Sequence, residues 1–173
     1  RRNMHYYHCK EENFGTSLWS GGSTKELAIF PKKSKYSDRN FIWRLSSATV
    51  ETDESNFTKL PDYDRVLMVL SGEVVLSYEG ERVSRLKELE QDRFDGAWKT
   101  KSFGKITDYN LMVRKGNEGY LDVITPESEK KVMHSEYTSD LPFCTHALYC
   151  KDGYAVIGAD GQSQMLQPGQ LFV

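Results

Sequence analysis

Apolar and polar residues alternate with a period of two through most of the readable segments of this chain, and turns bearing glycine or proline close those segments. A period of two marks a strand with one buried face, whereas a helix needs apolar residues at every third and fourth position. The expected class is therefore all-β with little helix, and many short strands joined by Gly and Pro turns indicate a sandwich or barrel. In residues 41–50 the odd positions begin Phe41, Trp43 and Leu45, while Arg44 and Ser46 lie between Ile42 and Ala48, so one of the two faces mixes polar with apolar groups. Residues 65–70, the turn Ser71-Gly72 and residues 73–78 read as a hairpin, and Glu79-Gly80-Glu81 makes the next turn. Residues 106–114 alternate again, with Asp108, Asn110 and Arg114 on one side and Tyr109, Leu111 and Val113 on the other. Helical composition is confined to residues 84–92, which read equally well as strand or loop. Residues 32–40, charged and following Pro31, read as an exposed loop.

The same plan recurs near the C-terminal end, where residues 153–157, a turn at Ala159-Asp160-Gly161, residues 162–166, Pro168-Gly169 and residues 171–173 follow one another. Gly72 and Gly80 stand 81 positions before Gly153 and Gly161, and Val74, Val75 and Leu76 match Ala155, Val156 and Ile157 at that offset. Internal duplication and coincidence both account for the match. A length of 173 residues suits one large domain or two small ones sharing a core. With 23 Lys and Arg against 25 Asp and Glu there is no basic field to concentrate a polyanion, so no nucleic-acid partner is expected. The longest apolar run, residues 66–70, falls far short of the ~20 residues of a membrane span. No charged-then-apolar leader opens the chain, so no membrane partner is expected and the expected location is cytoplasmic. The chain opens on Arg1-Arg2-Asn3 and stops within an apolar run at Val173, so trimmed ends are expected. Cys144 and Cys150 on one extended segment would lie about 20 Å apart at strand rise, too far to bridge, and reduced thiols are expected.

The stretch Trp19-Ser-Gly-Gly-Ser-Thr-Lys-Glu26 has the glycines, hydroxyls and lysine of a phosphate loop, but not its spacing or the helix that must follow. It reads either as a turn entering an edge strand or as a pocket wall contributed by Trp19, Thr24 and Glu26. Metal ligands should recur at alternate strand positions, yet His5, His8 with Cys9, His134 and His146 are scattered, so neither a metal nor another cofactor is expected. No Gly-x-Ser-x-Gly elbow or activated cysteine context suggests covalent catalysis. Arg44 and Arg65 are different, because an arginine among bulky apolar strand residues must reach solvent or find an anion. A bound carboxylate satisfies that need. So do ion pairs with Asp62, Asp64 or Asp108, or an exposed outer face. Asp108 and Asn110 fit equally as pocket hydrogen-bonders or as surface groups near a turn.

Taken in order, Trp19–Glu26, Phe41–Ala48, Asn56-Phe-Thr-Lys-Leu-Pro61, Asp64-Arg65, Phe94-Asp-Gly-Ala-Trp98 and Thr107-Asp-Tyr-Asn-Leu-Met112 resemble the HutD/Ves family from about Trp19 through Arg114, and more weakly to the end. The resemblance implies a double cupin, or bicupin, of two RmlC-like jelly-roll barrels, divided here as residues 1–104 and 105–173 about a shared core. It also implies a pocket in the first barrel linked with histidine utilisation and with small carboxylate or formyl-amide compounds such as N-formylglutamate or urocanate, in a regulatory or accessory role. The Ves branch is named for environmental stress. Carried over position by position, the matching residues are Trp19, Gly21, Gly22, Thr24, Glu26, Trp43, Arg44, Ser46, Arg65, Phe94, Asp108 and Asn110. Metal-binding cupins carry a His-x-His and Glu set near positions 64–80, where this chain has Asp64-Arg65 and no histidine. Two departures are Ser23 where a third small residue is common and Asp62 where glycine is. A pairing of Asp62 with Arg65 would remove the arginine from ligand binding.

The leading expectation is a metal-independent binding protein. In it Arg44 and Arg65 clamp a carboxylate, Ser46, Thr24 and Asn110 orient a polar tail, and Trp19, Trp43 and Phe94 form the walls. A second is a metal-free cupin enzyme, an isomerase or hydrolase of a small acid, with Glu26 or Asp108 as general base. A third is a stress-related interaction protein whose apolar hairpins pair across the edge of a homodimer.

Overall fold

A computed structural model describes residues 6–125, 144–159 and 161–173. These residues form fifteen strands and two 3₁₀ turns, Glu11–Asn13 and Tyr36–Asp38, as the period-two patterning requires. Phe14–Asp122 make one unit, and the described parts of Arg1–Asn13 and Val123–Val173 make a second, to which strand β1 (His8–Cys9) belongs.

The first unit runs through β2 (Gly15–Trp19), β3 (Gly22–Phe30), β4 (Trp43–Val50), β5 (Glu54–Asn56), β6 (Tyr63–Ser71), β7 (Val74–Tyr78), β8 (Arg82–Leu86), β9 (Gln91–Asp95), β10 (Thr100–Phe103) and β11 (Thr107–Arg114). They build a six-stranded sheet in the order β2-β3-β4-β11-β6-β9 and a four-stranded sheet in the order β5-β10-β7-β8, antiparallel throughout. The main core lies between the two sheets. Val50, Leu67, Val69 and Phe94 come from the large sheet and Val74, Leu76, Tyr78 and Leu86 from the small one. Two facing sheets whose inner side chains interdigitate are a jelly-roll sandwich, the layer arrangement expected of many short strands.

Two expectations change. The turn Ser71-Gly72 does not close a hairpin, because β6 pairs with β11 and β9 whereas β7 pairs with β10 and β8. It is a corner that carries the chain from one sheet to the other. Gly72 sits at φ 88°, and a Cβ there would come within 2.6 Å of the Lys105 carbonyl, so only glycine turns this corner without strain. The segment 84–92, open to strand or loop from its sequence, is strand on both sides of a turn. The second change concerns the boundary expected at 104/105. β11 lies between β4 and β6 in the first unit's large sheet, which cannot be joined without it, so that unit extends to Asp122.

In the second unit β1, β15 (Leu171–Phe172) and β12 (Leu148–Tyr149) form a three-stranded sheet in the order β1-β15-β12, beside the hairpin of β13 (Ala155–Ala159) and β14 (Gln162–Leu166). Cys150, Leu166 and Phe172 make its core, with Leu148 and Ile157 packed against them. Its hairpin repeats β7–β8. Val74–Tyr78 and Ala155–Ala159 match at the offset read from the sequence, and Gly80 and Gly161 adopt φ 77° and 74°. The second turn is one residue shorter, since Tyr78 faces Arg82 while Ala159 faces Gln162.

Candidate functional site

Strand register places most of the expected site residues on one face of the large sheet. In an antiparallel sheet, residues directly opposite each other project to the same side. Ile29, Arg44, Met112, Arg65 and Phe94 form one such row across β3, β4, β11, β6 and β9. Glu26, Ser46, Asn110, Leu67 and Asp92 form the next. In the third, Thr24 faces Ala48 and Asp108 faces Val69. Because Leu67, Val69 and Phe94 belong to the core between the sheets, this face looks into the sandwich. Arg44, Ser46, Arg65, Asp108 and Asn110 are buried on it, a polar surface where a purely structural core would be apolar.

The two arginines are not equivalent. Arg44 Nε donates to Glu26 Oε2 at 2.9 Å, and its guanidinium lies 4.1 Å from the centre of the Tyr36 ring. Its charge is answered within the chain. Arg65 is 7% exposed, and among the described residues no carboxylate lies within ion-pairing distance of it. Its guanidinium sits 5.1 Å from the Phe57 ring and 5.3 Å from the Phe94 ring, and Nη1 makes only a long 3.4 Å bond to the Thr58 carbonyl. Arg65 Nε has no hydrogen-bond partner. Burial lowers its pKa from the usual guanidinium value, opposed by Tyr36 and Asp108 and reinforced by Arg44. Asp62 makes no ion pair with Arg65. The expected two-arginine clamp is thus corrected to one paired arginine and one unpaired.

Asp108 is the other unusual group. It is 2% exposed, and its Oδ1 accepts from the Ala48 amide at 2.9 Å. Burial pushes its carboxyl up to about 7, against the opposing pull of the Ala48 amide, the Arg65 charge and a hydrogen bond from Asn110. Asn110 Oδ1 is buried without a partner, as is Ser102 Oγ on β10. Orphaned buried polar atoms cost about 1–3 kcal/mol each, and two of the three on the described residues lie in adjacent rows of this face. Seen along the sheet, Arg65 and Asn110 are diagonal neighbours, which places their backbones about 7–8 Å apart.

The remaining expected residues divide. Phe94 packs in the core beneath Arg65. Trp19 is at the rim, 37% exposed, with Nε1 donating to Thr24 Oγ1 at 3.1 Å. Its indole covers Gly21, where a Cβ would come within 2.3 Å of the ring, and a Cβ at Gly22 would meet the Thr49 carbonyl at 1.9 Å. The paired glycines let β2 and β3 close against β4, which accounts for a motif that looks like a phosphate loop. Trp43 is not a wall of this site. One position along from Arg44, it projects to the opposite face and stacks on Phe30 at 5.9 Å, because strand neighbours alternate sides.

Two contributors were not singled out from sequence, Tyr36 and Phe57. Tyr36 lies in the loop read as merely exposed, whose 3₁₀ turn brings the ring over Arg44, and Phe57 lies within the quoted Asn56–Pro61 motif. Behind Phe94, Tyr78 donates to Asp92 Oδ2 at 2.7 Å, and Arg82 Nη1 and Ser84 Oγ donate to the same oxygen at 2.7 Å. Burial pushes the Tyr78 phenol well above its usual value and the Asp92 bond adds to this, while Asp92, although burial opposes it, is held below the carboxylate range by its three donors. Among the described residues no three His, Cys, Asp or Glu side chains come together as metal ligands. His8 Nε2 lies 3.0 Å from Gln170 Oε1 and His146 Nε2 lies 3.5 Å from Cys144 Sγ, while His5 and His134 fall outside the described residues. None of Cys9, Cys144 and Cys150 is in a disulfide. No helix among the described residues is long and apolar enough to cross a membrane.

The sequence profile of the HutD family matches residues 11–173. The chain belongs to the HutD family. No curated protein matches this HutD-family chain in sequence. Among solved structures, a conserved protein of unknown function from Pseudomonas aeruginosa PAO1 is similar with a TM-score of 0.67 at 20% identity, over 98% of this chain and 86% of that one. HutD from Pseudomonas fluorescens SBW25, in a formate condition, is similar with a TM-score of 0.63 at 19% identity, over 97% and 86%. Vicilin from hazelnut, Corylus avellana, aligns with a TM-score of 0.50 at 15% identity, over 63% of this chain and 33% of its own. The all-β, cupin-like fold implied by the resemblance is the fold of this HutD-type protein.

Proposed function

We propose that this HutD-family protein binds, without a metal, a small acid that carries an N–H group near its carboxylate, in an accessory or regulatory role in histidine utilisation. The observation that carries the reading is the pair of orphaned buried atoms, Arg65 Nε as a donor and Asn110 Oδ1 as an acceptor, on one face of one sheet. A carboxylate accepts from the first and an N–H donates to the second, so one ligand satisfies both. N-formylglutamate offers a carboxylate with a formamide N–H, and urocanate a carboxylate with an imidazole N–H. The Phe57 and Phe94 rings beside Arg65 supply apolar walls. Glu26 holds Arg44 as a second layer instead of touching the ligand.

Calorimetry with N-formylglutamate and urocanate tests the reading. A charge-assisted contact contributes about 1.5–3 kcal/mol, so Arg65→Met is expected to weaken binding ten-fold or more. Absence of saturable heat with both acids, or parent-like affinity in Arg65→Met, refutes it.

One observation favours a second reading, a metal-free isomerase or hydrolase. The Asp108 carboxyl titrates near neutrality, where a general base works best, whereas Glu26 is engaged with Arg44. Turnover of a panel of small acids that Asp108→Asn abolishes would support the enzyme, and turnover that survives this change would remove Asp108 as its base.

A further inference from the structure

The inner face of the large sheet is balanced in charge. Arg44 is matched by Glu26 at contact distance, and Arg65 has Asp108 as its acidic electrostatic neighbour, too far for a hydrogen bond. Both Arg65 and Asp108 are at least nine-tenths buried. A carboxylate that settles on Arg65 brings one more negative charge onto this buried face, where Asp108 stands two rows along the sheet from Arg65. Two carboxylates near one buried cation repel each other where little water screens them, and the ordinary resolution is that one of them takes a proton.

We infer that each bound carboxylate enters this site together with one proton, and that Asp108 is the residue that receives it. The inference rests on the carboxylate-binding reading above. The proton comes from solvent, converting the Asp108 carboxylate to a carboxylic acid, with no other bond made or broken. Asp108 is then a specificity-determining residue. It makes the site accept an acid as a neutral pair of anion and proton, and reject a second uncompensated anion.

The other ionisable groups facing this space are settled. From β3, Glu26 is paired with Arg44 of β4, and from β9, Asp92 holds Tyr78, Arg82 and Ser84. From the small sheet, the Tyr78 phenol is held protonated by burial and its Asp92 bond, with Arg82 at the rim on the same oxygen. From the 3₁₀ turn, Tyr36 is an electrostatic neighbour of Arg65 and stacks its ring against the Arg44 guanidinium. Asp108 alone combines deep burial, a lone cationic neighbour without direct contact, and a carboxyl that changes its protonation near neutral pH.

The test is calorimetry of the intact chain with N-formylglutamate, which has no group that titrates between pH 6 and 9. At pH 8 the binding enthalpy is measured in buffers of different ionisation enthalpy, and the slope gives the protons taken up. Between half and one proton per ligand is expected, and affinity should fall by up to about ten-fold per pH unit above neutrality. Asp108→Asn should bind with no proton uptake and with affinity independent of pH. Should that variant not fold, the buffer series on the parent decides alone. A zero slope with saturable binding overturns the inference and leaves the Arg65 anchor standing, as does undiminished uptake in Asp108→Asn. No saturable heat in the parent between pH 6 and 8 overturns the carboxylate reading, and this inference falls with it.

Discussion

Replacing Asp108 by Asn gives a sharp test of the site's electrostatics, because the amide keeps the shape of the side chain and an oxygen for the Ala48 amide while removing the charge. In the folded chain the carboxyl is raised from 3.8 to about 7 by burial, against the lowering effect of Ala48, Arg65 and Asn110. A raised acid binds its proton more tightly in the folded state than in the unfolded one. Its contribution is therefore most favourable below the unfolded value near 4, declines as pH rises toward 7, and stays at its least favourable above that. The gap between 3.8 and about 7, at 1.36 kcal/mol per pH unit, is worth about 4 kcal/mol, an upper bound because relaxation around a buried charge lowers it. Urea unfolding of the parent and Asp108→Asn at pH 4.5, 6, 7 and 8 isolates the effect, since titrations shared by the two proteins cancel in the difference. The variant should gain on the parent between pH 4.5 and about 7, by up to about 3 kcal/mol (about 2.5 pH units at 1.36 kcal/mol each), and then level off toward pH 8. A difference that stays flat from pH 4.5 to 8 would refute the reasoning that burial governs this carboxyl.

Three further outcomes follow from the same geometry. Glu26→Gln leaves the buried Arg44 without its carboxylate, and since Glu26 is one-third exposed the loss should be about 1–3 kcal/mol in urea unfolding at pH 7; a change under 0.5 kcal/mol, on the order of a surface substitution, would show that the pair does not hold the row together. Gly22→Ala forces a Cβ against the Thr49 carbonyl, so β2 and β3 must shift from β4, and its melting temperature should fall by more than that of Gly80→Ala, where nothing lies within 4 Å. Tyr78→Phe removes one of three donors to Asp92 while keeping the ring in the core, and should cost about 1–2 kcal/mol by thermal unfolding, with no loss indicating that Arg82 and Ser84 suffice.

The fold was largely legible because alternation is a local property. Phe41 to Val50 and Ile106 to Arg114 each display one mixed and one apolar face, and the structure turns the mixed face of both inward, side by side. What alternation does not encode is which strands pair. The corner at Ser71-Gly72 looks like a hairpin turn because two apolar strands flank it either way. The signal that distinguishes them is the unbroken apolar run Val66 to Leu70, which marks a strand covered on both faces, the inner and outer layers of the large sheet. Arg65 was legible as a charge that needs an anion, yet its freedom from Asp62 and the capture of Arg44 by Glu26 depend on register between strands up to 18 residues apart. Trp43 was placed with Arg44 by its motif, although adjacent strand residues face opposite ways. Tyr36 left no trace, since an aromatic in a charged loop carries no period.

The central claim is that Arg65 waits unpaired for an acid from outside the chain, and a crystal structure with N-formylglutamate bound tests it most directly. The account predicts a ligand carboxylate oxygen at about 2.7–2.9 Å from Arg65 nitrogens, with the formamide N–H directed at Asn110 Oδ1. A ligand held elsewhere, with Arg65 bonded to an acid of the chain itself, would contradict it.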